Sequence, residues 1–422
     1  MPTRARAAGL LGALAVALAG CGTTATVQGG NDALSATTVT VYSDLPLFGA
    51  GAAQTSDIAN GEALALYDAG GHVGALHVSL ASLNDAADPI TGTTQTTQSG
   101  FSAHSASSDL STVAYIGDLD SASTAISLPL NNENDILQIS PGSSYVGFTD
   151  SNPFDFTGDP SYFYPNGVRT FARLVPSDLA EAEATVRYMR SLGVARLAVL
   201  ADDSYPPYDS AIADMVASDA PAAGIAVVGH RFGIDTQTNT QPAGYAAIAA
   251  AVAAAHADAV LLGGVPNSGA QALWSELHAR LPKLKLFAPS TLATPAFLRG
   301  LAGVSGAANA TYVTSPILEP DQYPPRAQQV FAEYRRLFPG VAPTAYALYG
   351  YEAMTDVLQA IRRAGRQAAN RSALVIAFFH LGEIHGVIGD YRINANGDTS
   401  LDSFDGYRVS AAGALVLVRR IS

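Results

Sequence analysis

Short apolar runs of period two alternate with longer stretches at helical spacing, the pattern of an α/β fold built on parallel sheets. Thr38-Val-Thr-Val-Tyr42 alternates and precedes a Gly-rich turn, and Ile58 to Asp68 reads as a helix closed by Gly70-Gly71. His77–Leu80 and Val113–Ile116 are short strands. The clearest unit starts at Val175. Ser177 is placed to cap a helix, Asp178 and Glu181 put acid in its first turn, and Leu179, Ala182, Val186 and Met189 fall on one helical stripe. Gly193 ends that helix, and Arg196–Leu200 is a buried-strand run. The alternation continues with a helix through the alanines near 246–256, a strand at Ala259–Leu262, a helix around Leu273–Leu277 and a strand at Leu284–Ala288. Helices around Ala327–Leu337 and Ala345–Ala364 follow, then hairpin-like strands turning at Asn394–Gly397 and Ala412-Gly413. No internal repeat interrupts this order. Thr149 to Tyr164 does break the rhythm: it is rich in Asp, Pro, Phe and Tyr without a period. Such a loop is either the rim of a cleft, the reading preferred here, or an insertion covering a sheet edge.

The N-terminus sets the compartment. Arg4 and Arg6 precede an apolar run from Leu10 to Ala19, too short to span a bilayer core that needs about 20 apolar residues, but of the length of a secretory signal segment. It ends in Leu18-Ala19-Gly20-Cys21, which resembles the bacterial lipobox, whose cysteine is lipidated. Cys21 is the only cysteine, so it has no disulfide partner, and an unmodified thiol is a liability in an oxidising compartment. Residues 1–20 are therefore expected to be a signal peptide. Residues 21–37, nearly free of large apolar side chains, are expected to be a tether.

About 385 residues follow the tether, enough for two ordinary domains. Only 14% of the chain is charged and the formal net charge is −13, more negative still without Arg4 and Arg6. With no basic patch, nucleic acid is excluded as a partner, and the membrane is reached only through the lipid.

Several motifs fail on inspection. Gly49-Ala-Gly51 follows the first strand, but Gln54 stands where a dinucleotide fingerprint needs its third glycine. His380 and His385 are five apart with Gly382 between them, the wrong spacing for two metal ligands on one helical face. The Asn394–Asp398 turn has Arg392 and Ser403 where a calcium loop places its key carboxylates. No nucleophile elbow, phosphate-binding loop or acid/base pair is evident, so no catalysis, cofactor or metal is expected. Two hydroxyl-dense turns do follow strands: Ile116-Gly-Asp-Leu-Asp-Ser-Ala-Ser-Thr124 and Ile139-Ser-Pro-Gly-Ser-Ser144. Hydroxyls beside free amides at a helix N-terminus suit an anionic oxygen, and they are also ordinary helix caps. On either turn alone the cap is the simpler reading. Two such turns in one half bring binding level with it.

These stretches resemble the type I periplasmic binding proteins, specifically the leucine/isoleucine/valine-binding branch of ABC transporter receptors. Gly70-Gly-His-Val-Gly74, Asn84-Asp-Ala-Ala-Asp-Pro89, the turns ending at Thr124 and Ser144, Phe171-Ala-Arg-Leu-Val-Pro176 and the Tyr346–Gly365 helix carry the likeness, in order and over nearly the whole chain after the tether. The resemblance implies two Rossmann-like α/β lobes, 38–173 plus 315–389 and 174–314 plus 390–422, joined by crossovers near Phe171–Val175, Tyr312–Pro316 and Ile388–Ile393. It implies a small-molecule ligand trapped between the lobes, an ABC permease as partner and a monomer. Carried over by position, Ser121 and Ser144 would hold a ligand carboxylate. Asp120 and Gly142 would line the same wall, Tyr205 would close over from the second lobe, and the loop holding Val265 would face the cleft.

The sequence departs from the family at one place that matters. Amino-acid receptors of this branch carry an acid after the strand that here ends at Ala288, to bind the ligand ammonium; this chain has Pro289-Ser290. A hydroxyl cannot neutralise a buried ammonium. The expected ligand is therefore carboxylate-bearing or neutral and polar, and not a standard branched-chain amino acid, with amino acids still open if Asp120, Asp202 or Asp203 supplies the acid. A sensory receptor of the same fold is the second reading, and an enzyme or structural lipoprotein on this scaffold a distant third.

Overall fold

The structure, a computed structural model, describes residues 38–421 apart from 50–51, 89, 155, 157, 203–207, 209, 237–241 and 305. The expected signal segment and tether, with Cys21, and also Asp203 and Tyr205 lie outside the described residues. Strands β1 (Thr38–Asp44), β2 (His72–Val73), β3 (Leu76–Leu83), β4 (Thr112–Ile116), β5 (Leu137–Ser140) and β6 (Phe171–Arg173) form one sheet in the order β2-β3-β1-β4-β5-β6. All are parallel except β2, a short antiparallel addition to β3. Every residue of β4 and β5 is buried, as expected of parallel strands covered on both faces.

Helices α1 (Ala52–Asp68), α2 (Gln95–Ser108) and α3 (Ser121–Glu133) belong to the crossovers of this sheet. The core on one face of it combines Leu64 and Ala65 of α1 with residues from far along the chain, such as Phe331, Leu348, Val357 and Phe378. Close approach of α1 to a late helix is possible only at glycine. A Cβ on Gly61 would stand 2.1 Å from the Ala347 carbonyl oxygen, and one on Gly350 would stand 2.0 Å from that of Ile58.

The second sheet runs β15-β14-β11-β10-β9-β7-β8. Its parallel body is β7 (Arg196–Asp202), β8 (Ala226–Ile234), β9 (Ala259–Gly263), β10 (Lys285–Ala288) and β11 (Thr311–Ser315). Side chains alternate between two cores. Leu197, Val199 and Ala201 meet α4 (Asp178–Ser191) and α5 (Ala211–Asp219), whereas Ala198 and Leu200 face α6 (Pro242–Ala254), α7 (Ser268–Arg280) and α8 (Pro295–Ala302). After β11 come α9 (Pro325–Leu337), α10 (Tyr346–Ala364) and α11 (Arg371–Phe379), which share the first sheet's core. The hairpin β12 (Ile384–Gly386) and β13 (Gly389–Tyr391) follows, and antiparallel β14 (Phe404–Val409) and β15 (Leu415–Ile421) close the second sheet. The molecule is a two-lobed α/β fold, and the chain passes between the lobes after β6, after β11 and before β14.

One buried cation ties the first and third passages. Arg173 at the end of β6 is fully buried, and its Nε lies 2.9 Å from Asp398 Oδ1. Its Nη1 donates to the Tyr145 carbonyl at 2.8 Å and, at 3.4 Å, to that of Ser143; Nη2 donates to the Thr149 hydroxyl. The Arg173 amide donates to the Gly397 carbonyl at 2.9 Å. The turn with partial calcium-loop likeness is thus self-capped, Asn394 Oδ1 accepting from the amides of Asn396, Gly397 and Asp398, and its carboxylate serves Arg173.

The aromatic segment before β6 covers that edge strand. Phe163 and Tyr164 are buried with Tyr145, Phe148 and Phe171, and Tyr208 of the second lobe stands edge-on to Tyr145, centroids 5.0 Å apart. Removing the carboxylate partner of a buried guanidinium leaves an uncompensated charge. Asp398→Ala is expected to lower stability by about 3 kcal/mol in urea unfolding, far more than a surface ion pair such as Arg187–Glu183 contributes.

Candidate ligand-binding site

In open α/β sheets ligands sit beyond the carboxyl ends of the strands, where the strand order reverses. In the first sheet that point lies between β1 and β4, because the chain runs outward to β3 on one side and to β5 and β6 on the other. The two hydroxyl-dense turns leave β4 and β5 on this side. Asp120 is the N-cap of α3: its Oδ1 accepts the Ser123 amide at 2.9 Å and its Oδ2 accepts Gln95 Nε2 at 2.6 Å. Both oxygens are therefore engaged, and burial pushes its carboxyl upward.

Ser121 follows, buried, its Oγ accepting the Tyr145 amide at 3.2 Å. This bond places Ser121 directly against the second turn. Gly142 is dictated by packing within the lobe, since a Cβ there would meet the Leu119 carbonyl oxygen at 2.5 Å. Ser144 is buried beside Ser121's partner, and its carbonyl accepts the Asp178 amide at 2.9 Å. Ser177 takes the N-cap position of α4 without a side-chain cap bond.

The polar line continues into acids that the sequence showed only as first-turn helix residues. Asp178 is buried and raised to about 6 by desolvation, against the Ser144 hydroxyl and the Arg173 charge, which pull it down. Glu181, one helical turn on, is 1% exposed and raised to about 8, by burial above all. It accepts the Ser290 amide and the Ser290 hydroxyl, both at 2.6 Å. An acid therefore does stand at the position where Pro289-Ser290 seemed to leave none; it arrives from α4 instead of from the loop after β10. Spacing alone offers no signal for it, because acids in a first turn are ordinary helix chemistry. Tyr346, at the start of α10, is pushed to about 12 by burial and by Glu181.

The remaining predicted residues fall elsewhere. Val265 follows β9 on a turn whose Gly264 lies against Asp202: a Cβ there would be 2.7 Å from the Asp202 Cβ. Asp202 is buried and accepts the Thr236 amide at 3.3 Å and its hydroxyl, and Asn267 caps α7 while donating to Thr236 Oγ1 at 2.5 Å. A surface cleft of about 470 Å³, lined by Asp68, Arg326, Glu333, Tyr351, Glu352 and His385, contains none of the predicted residues.

Residues 38–413 match the family described as periplasmic binding protein. The chain belongs to that family. It is accordingly a solute-binding protein of the extracytoplasmic kind, built to hold a small ligand between two lobes and not to transform it. Among solved structures, a leucine-binding protein from Thermotoga maritima superposes with TM-score 0.72 at 20% identity, covering 91% of this chain and 98% of that one. An ABC transporter substrate-binding protein from Desulfitobacterium hafniense, in complex with Leu, gives 0.70 at 19% identity, covering 90% and 100%. A solute-binding protein from R. palustris in complex with benzoate gives 0.68 at 16%, covering 91% and 96%. At these identities the likeness is one of fold. No match is found among curated proteins.

Glu181 gives this site a pH signature. Its folded pKa of about 8 lies above the ordinary 4.5, so its contribution to stability is fully present below about 4.5 and lost as pH rises through about 8. The melting temperature of the ligand-free protein should fall between about pH 5 and pH 8.5, and Glu181→Gln should flatten that slope without lowering the value at pH 5.

Proposed function

We propose that this periplasmic binding protein is the lipid-anchored receptor of an ABC transporter, and that its ligand is a small polar carboxylate, an amino acid or a close relative. The observation that carries the reading is a series of buried polar groups, in which Ser121 accepts the Tyr145 amide next to Ser144, Ser144 accepts the Asp178 amide, and Glu181, one turn along the same helix, accepts from Ser290; it starts in the first lobe, follows the first passage and ends in the second. The hydroxyl end suits a carboxylate. The acid end suits a cationic nitrogen, because no Lys, Arg or His forms an ion pair with Glu181 among the described residues. The structural relatives named with Leu, isoleucine, benzoate and 4-hydroxybenzoate have ligands that share a carboxylate. Asp120 and Gly142 then support the wall, Tyr205 and Val265 face the ligand from the second lobe, and Cys21 carries the lipid. The lobes divide at the boundaries read from the sequence.

The test is a thermal-shift panel of amino acids, their des-amino analogues, aromatic carboxylates and amides. A ligand at 100 times its dissociation constant stabilises by about 2.7 kcal/mol. The largest shift is expected from an amino acid and should vanish in Ser121→Ala/Ser144→Ala. Glu181→Gln should abolish the preference for the amino acid over its des-amino analogue. A larger shift from an aromatic carboxylate than from any amino acid would leave the receptor standing and remove the ammonium from the ligand. The anchor is tested separately: Cys21→Ser should move the protein from the membrane to the soluble fraction of a cell extract, and an unchanged membrane fraction refutes it.

A further inference from the structure

Beneath the wall that carries Ser121 lies a second cluster the ligand reading does not use. Asp44 ends β1, Asp85 follows β3 and Asp118 follows β4, so the three acids converge from three neighbouring parallel strands at the point where strand order reverses. All three are fully buried, and one carboxylate oxygen of each lies within 4.8 Å of the others. Neutral donors reach part of the cluster. Tyr115 OH donates to Asp44 Oδ2 at 2.8 Å and to Asp118 Oδ1 at 3.2 Å, Ser127 donates to Asp118 Oδ2, and Ser99 and Gln95 donate to Asp85 Oδ2 at 3.1 and 3.3 Å. Asp44 Oδ1 and Asp85 Oδ1 are buried without any hydrogen-bond partner. No Arg, Lys or His forms an ion pair with any of the three among the described residues.

We propose that Asp44, Asp85 and Asp118 bind one divalent hard cation, Ca2+, inside the first lobe. Oxygen ligands at about 2.3–2.6 Å from a shared Ca2+ stand up to about 5 Å apart, which the cluster already satisfies. An all-oxygen donor set selects Ca2+, Mg2+ or Mn2+ over softer metals, and Mg2+ is disfavoured where it cannot keep several waters. The ion supplies the counter-charge that three buried carboxylates otherwise lack. It also reaches the ligand wall indirectly, since Gln95 bridges Asp85 to Asp120, the N-cap before Ser121. The site is independent of which ligand fills the cleft, and its failure leaves that reading untouched.

The purified full chain is stripped with EGTA and titrated with CaCl2, and bound calcium is counted by atomic emission alongside the melting temperature. One Ca2+ per chain and a melting temperature several degrees higher are expected. Asp85→Asn should weaken binding at least about tenfold. Asp88→Asn should bind as the unchanged protein does, because the Asp88 carboxylate caps its own turn through Ile90 and Thr91. Where Asp85→Asn does not fold, the stoichiometry and melting shift of the unchanged chain decide alone. No calcium taken up at about 1 mM, with the same melting temperature in EGTA, overturns the proposal and leaves the acids sharing protons. Stabilisation by Mg2+ equal to that by Ca2+ overturns the choice of ion.

Discussion

The guanidinium of Arg173 is the fixed point of this molecule. Once buried, its rigid fork of donors must find acceptors. Those acceptors lie on the turn after β5, at the start of the aromatic segment and on the turn that leads to β14. Satisfying one side chain therefore sets three segments relative to the first passage between the lobes. The consequence reaches the candidate site, because the turn whose carbonyls Arg173 holds is the turn that presents Ser144 to Asp178.

Around that anchor, the candidate site is a balance of hydroxyls and poorly solvated acids. Desolvation dominates at both Asp178 and Glu181, and local donors only partly offset it. A cationic group brought beside them would be welcomed by charge, while a purely apolar ligand would leave them as costly as before. The same logic operates twice more in the first lobe, at the Asp44–Asp85–Asp118 cluster and at Glu352–Asp356, where Tyr391 donates to both carboxylates and each acid is raised by its own burial.

The alternation of strand and helix was plain from residue patterns because parallel strands buried on both faces read as apolar runs, as Arg196–Leu200 and Ala259–Leu262 do. Helix α2 was not. Its buried face is Ser99, Ser102, Ala103 and Ala106, so close packing on small residues leaves no apolar stripe to detect. Strand β8 escaped notice for a related reason, with Gly and charged positions interrupting Ala226–Ile234. At the candidate site, the serines were legible because they sit on turns whose composition is unusual. Glu181 was not, since its meaning depends on Ser290, which is remote in sequence and adjacent only after β10 and α4 are packed. The three clustered aspartates lie at or just beyond the ends of three different strands, and only the strand order brings them together.

The crossing of α1 and α10 carries a consequence for how the chain acquires its shape. Backbone meets backbone there only because Gly61 and Gly350 have no side chains, and the two come from opposite ends of the protein. Closing so long a loop is entropically slow, whereas the second lobe's parallel strands lie almost entirely within one continuous stretch, from β7 to β11. A chain emerging from its N-terminus must therefore hold its first lobe open, apolar face uncovered, while the second assembles. The half that begins the sequence waits for helices made only after the other half's five parallel strands.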